Sequence, residues 1–409
     1  MVVVRPFRGL RPRKDVADKL AAPPYDVLDS NEAREMAKGN PVSFLHINKP
    51  EIDLPPDTDP YSDKVYAKGA ENLKRFISEG LVAQDGSPRF YFYRQIMNNH
   101  AQVGLVATVS AGDYESGKIK KHEFTRPEKE TDRVRHIMAL NAQVGPVFLT
   151  YPDVKELNCI QADVCTSEPE YDIVTPDNVR HTLWLVPEKI TPEVSGIFHK
   201  VPYLYVADGH HRSAAGTIVA RQRRDHNPKH TGEEEYNFFL AVIFPKSHMK
   251  IMAYNRAVMD LNGLGENEFM ELVKDNFTVK PGAPEPKSVH SFSMYLGGKW
   301  HELRPKAGSY PEKDPVKSID ASILQDNLLA PILGIDDPRT NNRIKFIGGI
   351  RGTGELEKLV NSGKFKVAFS LYPVTLDQLF AVADSGNVMP PKSTWFEPKL
   401  RSGLVVHMI

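Results

Sequence analysis

The sequence predicts an α+β fold of mixed α/β character, and three observations carry that prediction. Runs with strand composition alternate with helical patterns along the whole chain. Several strand pairs are joined by short turns, as in hairpins, which a purely parallel doubly wound sheet does not contain. One run, "NFFLAVIF" (237–244), is apolar without interruption, as a central strand covered on both faces is. With 409 residues the chain is long enough for two or three units at ~150 residues each. The pattern changes character in the last third. The expected division is therefore a mixed α/β region over 1–247 and an α+β region over 248–409, with one interwoven unit as the alternative.

The elements follow in order. A short strand, "VVV", precedes "APPYDVLDSNEAREMAKG", where Pro23 and Pro24 forbid regular pairing and Asp29 or Ser30 caps a short helix. "VSFLHI" (42–47) reads as a strand, and the proline- and acid-rich "PEIDLPPDTDPYSD" as a linker-like loop. Tyr66, Ala70, Leu73, Phe76 and Ile77 fall at helical spacing, with Gly80 placed to end that helix. "RFYFYRQI" and "AQVGLVATVSAGDY" flank "MNNH" as a hairpin. "KIKKHEFTRPEKETDRVRHIMALNAQVGPVFLTY" reads as strand, charged turn, helix and buried strand. There Thr125 with Glu128 forms a capping box and Pro127 suits the first turn. "HTLWLV" is a further strand. Beyond residue 247, "NEFMELVKDNF" is an amphipathic helix and "FSMYLGGKWHEL" a hairpin turning at Gly297–Gly298. "IDASILQDNLLAPILGI" is helical until Pro331, "KFKVAFSLY" is a strand, and Thr375 with Gln378 caps a last helix.

Composition excludes several function classes. Basic and acidic side chains balance at 52 each, so no global charge draws the chain to nucleic acid or an anionic membrane. No apolar run approaches the ~18 residues a membrane span needs, and the short "VVV" is no signal sequence. The two cysteines of "CIQADVC" match no zinc spacing and make no disulfide scaffold. A cytoplasmic protein without nucleic-acid or membrane partners is expected.

Four stretches can carry chemistry. In "ADGHHRS" (207–213), Asp208, Gly209, His210, His211, Arg212 and Ser213 fill a turn between a strand and a helix. A glycine there lets backbone approach a ligand, the first helical amides favour an anion, and Arg212 offers a forked donor. Asp208 can hold Mg²⁺ or orient a histidine. A polar loop in which Asp208 merely caps the helix, and a transition-metal site, are the alternatives. In "KKHEFTRPEKETDR", His122 and Glu123 sit as a proton-transfer pair near a strand end. The segment begins like a zinc-protease motif, but Arg126 stands where the second histidine is required. In "MPPKSTWFEPK", Lys392, Ser393 and Thr394 present a cation and two hydroxyls without the glycines of a P-loop. In "PPYDV", Tyr25 and Asp26 follow two prolines. Each of these also reads as an ordinary solvated turn.

"RPFRGL", "APPYDV", "KKHEFTRPEKETDR", "ADGHHR" and "MPPKSTWFEPK" resemble, in the same order, motifs of the family called domain of unknown function 1015, over essentially the whole chain. "ADGHHR" at a strand–helix junction is more distantly similar to the signature turn of the ParB/sulfiredoxin superfamily. That superfamily includes free-serine kinases with an Asp-Gly-His-x-Arg motif. The resemblance implies a ParB/sulfiredoxin-like strand-turn-helix core with large additional mixed-sheet regions, and a turn that binds nucleotide phosphates. His210 stands where sulfiredoxins have their reactive cysteine, which removes that activity. No helix-turn-helix or basic arm supports a DNA-binding role.

The expected function is a nucleotide-dependent phosphotransferase, a kinase of free serine or a similar hydroxy-amino acid. ATP or ADP and Mg²⁺ are its cofactors and a small polar molecule its substrate. Gly209, His210, His211, Arg212 and Ser213 would bind phosphates, and Asp208 would help hold Mg²⁺. Glu123, with His122, would accept the hydroxyl proton, while Lys392, Ser393, Thr394, Tyr25 and Asp26 would bind substrate. A phosphoserine-type phosphatase, a non-enzymatic nucleotide-binding ParB-like regulator and a metal hydrolase are the alternatives.

Overall fold

The uninterrupted apolar run of the sequence lies at the centre of a nine-stranded sheet. Phe238–Pro245 is buried at every position. It runs parallel to Val147–Tyr151 on one side and antiparallel to His100–Ser110 on the other. With a sheet neighbour on each side and both faces covered, no position of that strand has use for a polar side chain. Beyond Val147–Tyr151 come Leu204–Asp208, antiparallel, and the two-residue edge Ile119–Lys120. Beyond His100–Ser110 come its hairpin partner Tyr91–Met97, then Arg180–Leu185 and Tyr171–Val174. Asn98, at φ 54°, makes the hairpin turn.

The two faces of this sheet differ. One carries Phe92, Leu105, Leu149, Phe239 and Ala241 into the main apolar core. Side chains alternate along a strand, so Gln95 and Gln102, directly opposite one another in the hairpin, lie on the other face. Both are fully buried.

The computed structural model describes residues 1–409, and the chain divides into two compact units. The first comprises Met1–Met249 with Pro398–Ile409, the second Lys250–Glu397. The chain end joins the first unit because Val406–Met408 pairs with Gly9–Pro12 and with Ala142–Gln143. A second core of the first unit gathers Phe44, Leu73, Phe76, Leu140 and Val406. The helix Pro127–Leu140 packs its Val134 and Ile137 on Ala215 and Val219 of the helix His210–Asp225.

The second unit holds a six-stranded antiparallel sheet. Its order is Phe277–Pro281, Lys299–Pro305, Phe292–Leu296, Val367–Leu371, Tyr254–Val258 and Ile344–Gly348. Gly297 and Gly298, both at positive φ, turn the hairpin as expected, and the Thr375/Gln378 capping box is formed. The fold is thus mixed α/β, with parallel pairs confined to the first unit's sheet. No helix is long and apolar enough to cross a membrane.

Three local expectations fail for identifiable reasons. Residues 42–47 are not a strand; Leu45–Asn48 is a helical turn whose Leu45 and Ile47 are buried beside Phe44. A short apolar run fits a buried turn as well as a strand, and Pro41 and Pro50 bracket this one. The Thr125/Glu128 box does not form. Arg126 occupies the cap without a side-chain bond, and the Thr125 hydroxyl donates to Glu130 instead. The helix expected up to Pro331 is regular only over Asp320–Leu324 and then widens to a π turn over Gln325–Leu329.

Candidate functional site

The turn "ADGHHR" joins the strand Leu204–Asp208 to the sixteen-residue helix His210–Asp225. Gly209 makes the junction at φ 93°, ψ 31°, a left-handed conformation that glycine adopts without strain. No side chain caps the first helical turn, so its amides and the positive end of the helix dipole remain an anion-favouring surface.

Asp208 stands at the mouth of that turn. One carboxylate oxygen accepts the Gly209 amide at 2.8 Å and the other accepts the Lys399 ammonium at 2.9 Å. Burial opposes the charge, but Lys399 and Arg212 outweigh it and hold the carboxyl well below the usual range. Both oxygens are thereby engaged. No group of three or more His, Cys, Asp or Glu side chains is placed to hold a metal ion. The donor set therefore does not form a metal site by itself, neither for Mg²⁺ at Asp208 nor for a transition metal at the histidines.

The two histidines face different partners. His210 is buried, and its ring meets that of His122 edge-on with centroids 4.5 Å apart. The His122 amide donates to His210 Nε2 at 3.5 Å. Burial and the neighbouring His122 push the His210 ring far below its ordinary value, so it is neutral near pH 7. With Nε2 accepting, the proton of the neutral ring is assigned to Nδ1, which faces Glu123 Oε2 at 3.7 Å. His122 is likewise pushed down to about 4 by burial. His211 accepts the Arg126 amide at Nε2, 3.1 Å away. Burial, then Arg133 and Arg126, lowers it to about 4. The segment 122–126 is therefore pinned to the turn at both ends, by His210 and by His211.

Arg212 is turned inward and is 8% exposed. Its guanidinium donates to the Pro146 carbonyl and, at 3.0 Å, to Asp26. Its Nε is buried without a partner. Ser213 is fully buried, and its hydroxyl donates to the Gly209 carbonyl at 3.2 Å within the helix. Tyr25, whose phenol burial pushes up to about 12, lies under Arg133 at 5.1 Å and beside His136. A cavity of about 30 Å³ lies among Tyr25, Arg133, His136 and Arg212.

Of the residues singled out in the sequence, the first unit thus brings together Tyr25, Asp26, His122, Glu123 and Asp208 to Ser213. Lys392, Ser393 and Thr394 belong to the second unit. There the Lys392 carbonyl accepts from Arg256 at 3.3 Å, and the Ser393 hydroxyl donates to the Pro390 carbonyl at 2.7 Å. Sequence reasoning missed Lys399, which lies at the end of the quoted "MPPKSTWFEPK" but separates from Lys392 into the first unit. It also missed a role for Arg133, the last residue of the quoted "KKHEFTRPEKETDR", whose guanidinium lies over the Tyr25 ring.

No curated protein matches the chain. Among solved structures, a free serine kinase in complex with AMP is similar over 71% of this chain and 86% of its own, with 12% identity and a TM-score of 0.37. C-terminally truncated SbnI from Staphylococcus aureus is similar over 73% and 86%, with 12% identity and a TM-score of 0.39. A conserved hypothetical protein from Pyrococcus furiosus is similar over 71% and 90%, with 12% identity and a TM-score of 0.34. The model of the family described as a protein of unknown function, DUF1015, matches residues 4–322, and the chain belongs to that family.

Proposed function

We propose that the turn Asp208–Arg212 holds the phosphates of a nucleotide and that the protein is a small-molecule phosphotransferase. A free hydroxy-amino acid such as serine is the acceptor class to test first. The observation that carries this reading is the left-handed Gly209, which opens a sixteen-residue helix with no side-chain cap. Beside it lie one buried and one partly exposed cation, Arg212 and Lys399. Such a turn brings amide hydrogens, a helix dipole and basic charge close together, which is the chemistry a phosphate requires. The motif resemblance of "ADGHHR" points the same way.

Phosphoryl transfer asks the protein mainly to position two reactants and balance charge. In the proposed step, Glu123 accepts the acceptor's hydroxyl proton while that oxygen bonds to the terminal phosphorus. The bond to the bridging oxygen breaks, and the shortened nucleotide leaves with the electron pair. Glu123 suits the role by position: its side chain is about half exposed and its Oε2 lies 3.7 Å from His210 Nδ1. His122, buried and lowered to about 4, supports His210 instead of exchanging protons with solvent.

The experiment incubates the full chain with ATP or ADP, Mg²⁺ and L-serine and follows phosphoserine by mass spectrometry. Phosphoserine formation that disappears in Glu123→Gln is the expected result. Turnover of no nucleotide across a panel of hydroxy acids would overturn the reading. Inorganic phosphate released from phosphoserine without nucleotide would establish hydrolysis in its place.

A further inference from the structure

The cavity lined by Tyr25, Arg133, His136 and Arg212 holds more hydrogen-bond donors than the fold uses. Arg133 and Arg212 are each 8% exposed, and in both the guanidinium Nε is buried without a partner. Both hydrogen bonds of Arg133 leave from Nη1, to the Lys129 carbonyl and to Asp132, each at 3.1 Å. Its Nε–Nη2 edge, the side-on fork of a guanidinium, is left over. Arg212 gives Nη1 to the Pro146 carbonyl and Nη2 to Asp26, and again Nε remains.

Packing alone does not call for this arrangement, because burying a charged donor with its hydrogen bond unmade is costly. Tyr25 adds a further donor to the same cavity. Its ring lies under the Arg133 guanidinium, and its phenol, pushed up to about 12 by burial, stays protonated. His136 adds no charge: burial lowers its ring, and its Nε2 faces the Ile47 carbonyl at 2.9 Å. Each guanidinium already has one partly exposed carboxylate, Asp132 for Arg133 and Asp26 for Arg212. Asp132 is engaged a second time by the Tyr66 hydroxyl at 2.8 Å. With those two charges balanced, a singly charged anion suits the cavity better than a doubly charged phosphate. Two donors on one edge of a planar guanidinium match the two oxygens of a carboxylate.

We propose that this cavity binds the carboxylate of a small organic acid, held on the Nε–Nη2 edge of Arg133, with the Arg212 Nε and the Tyr25 hydroxyl as further donors. The inference names the end of the acceptor that the protein grips. It rests on the phosphotransfer reading for the fate of that acid, and not for its binding.

The test titrates L-serine, L-lactate and D-glycerate, and the amide of each, into the full chain without nucleotide. Inorganic phosphate is titrated alongside, and the wild type is compared with Arg133→Met, Arg133→Lys and Tyr25→Phe. At least one acid is expected to bind below about 10 mM, and its amide, with one acceptor oxygen in place of two, about tenfold more weakly. Arg133→Met should weaken the acid about tenfold or more. Arg133→Lys, which keeps the charge and loses the fork, should recover only part of that, and Tyr25→Phe should cost about two- to tenfold. Where Arg133→Met does not fold, Arg133→Lys and Tyr25→Phe carry the same comparison. Equal binding of acid and amide, phosphate bound as tightly as the best acid, or no acid bound at about 10 mM would each overturn the inference. So would full affinity in the Arg133 variants. An acid that binds and is never phosphorylated would remove the phosphotransfer reading and leave this one standing.

Discussion

Two polar stretches looked equally equipped in the sequence, and the fold gives them different partners. In "PPKST", the carbonyl of Lys392, a residue at φ 58°, is taken by Arg256, and the Ser393 hydroxyl is taken by Pro390. The Ser393 hydroxyl is spent within its own loop, and the Lys392 ammonium lies over the Tyr254 ring, 5.6 Å from its centroid. In "ADGHHR", partners arrive from far along the chain: Asp26, His122, Glu123, Arg126, Pro146 and Lys399. Lys399 and Arg212 hold the Asp208 carboxyl below its ordinary range against burial, and burial above all lowers the His210 and His211 rings. A motif's residue types say what chemistry is available. Whether it is exposed to a ligand depends on partners that local sequence does not reveal.

The largest effect expected on this contrast is at Arg212. Arg212→Ala leaves the Pro146 carbonyl and Asp26 without their donor and should cost about 3 kcal/mol by urea unfolding, the low end for a broken pair because Asp26 is partly exposed. A loss below about 1 kcal/mol would mean the arginine is not an organiser of the turn.

Next is the acid limb of stability. His122 titrates near 6.5 when unfolded and at about 4 when folded. Between those values the native state binds fewer protons, so stability rises with pH there and is lost as pH falls from about 6.5 toward 4. His122→Gln should remove about 3 kcal/mol of that pH dependence. The part due to His181, lowered to about 3 by burial and Arg401, should remain. An unchanged acid slope would show that the His122–His210 pair is not buried neutral.

Gly209→Ala forces a side chain into a left-handed junction and brings its Cβ to 3.5 Å from the Val147 backbone. A destabilisation of about 1–3 kcal/mol, measured by thermal unfolding, is expected. Ser393→Ala should cost only about 1 kcal/mol, the worth of one hydrogen bond to Pro390.

Much of the fold was legible because the relevant forces are local or periodic. The continuous apolar run predicted the central strand, Gly297–Gly298 predicted their hairpin, and the Thr375/Gln378 pair predicted its cap. What failed lay where tertiary partners override local preference. Phe44, Leu45 and Ile47 suit a strand but pack as a turn into a core completed by Phe76 and Val406. Thr125 has a capping partner three residues on, yet bonds Glu130. The turn itself was legible through Gly209 and the start of a helical pattern. Lys399 was not, since only the return of the chain end to the sheet, fixed by Gln95 and Gln102, carries it to Asp208.

The central claim is that this turn recognises phosphate, and titration of ADP against adenosine into the wild-type chain tests it most directly. The account predicts ADP binding below about 1 mM and at least about tenfold tighter than adenosine, a phosphate contribution of ~1.4 kcal/mol or more. Equal affinities, or no ADP binding at that concentration, would contradict it.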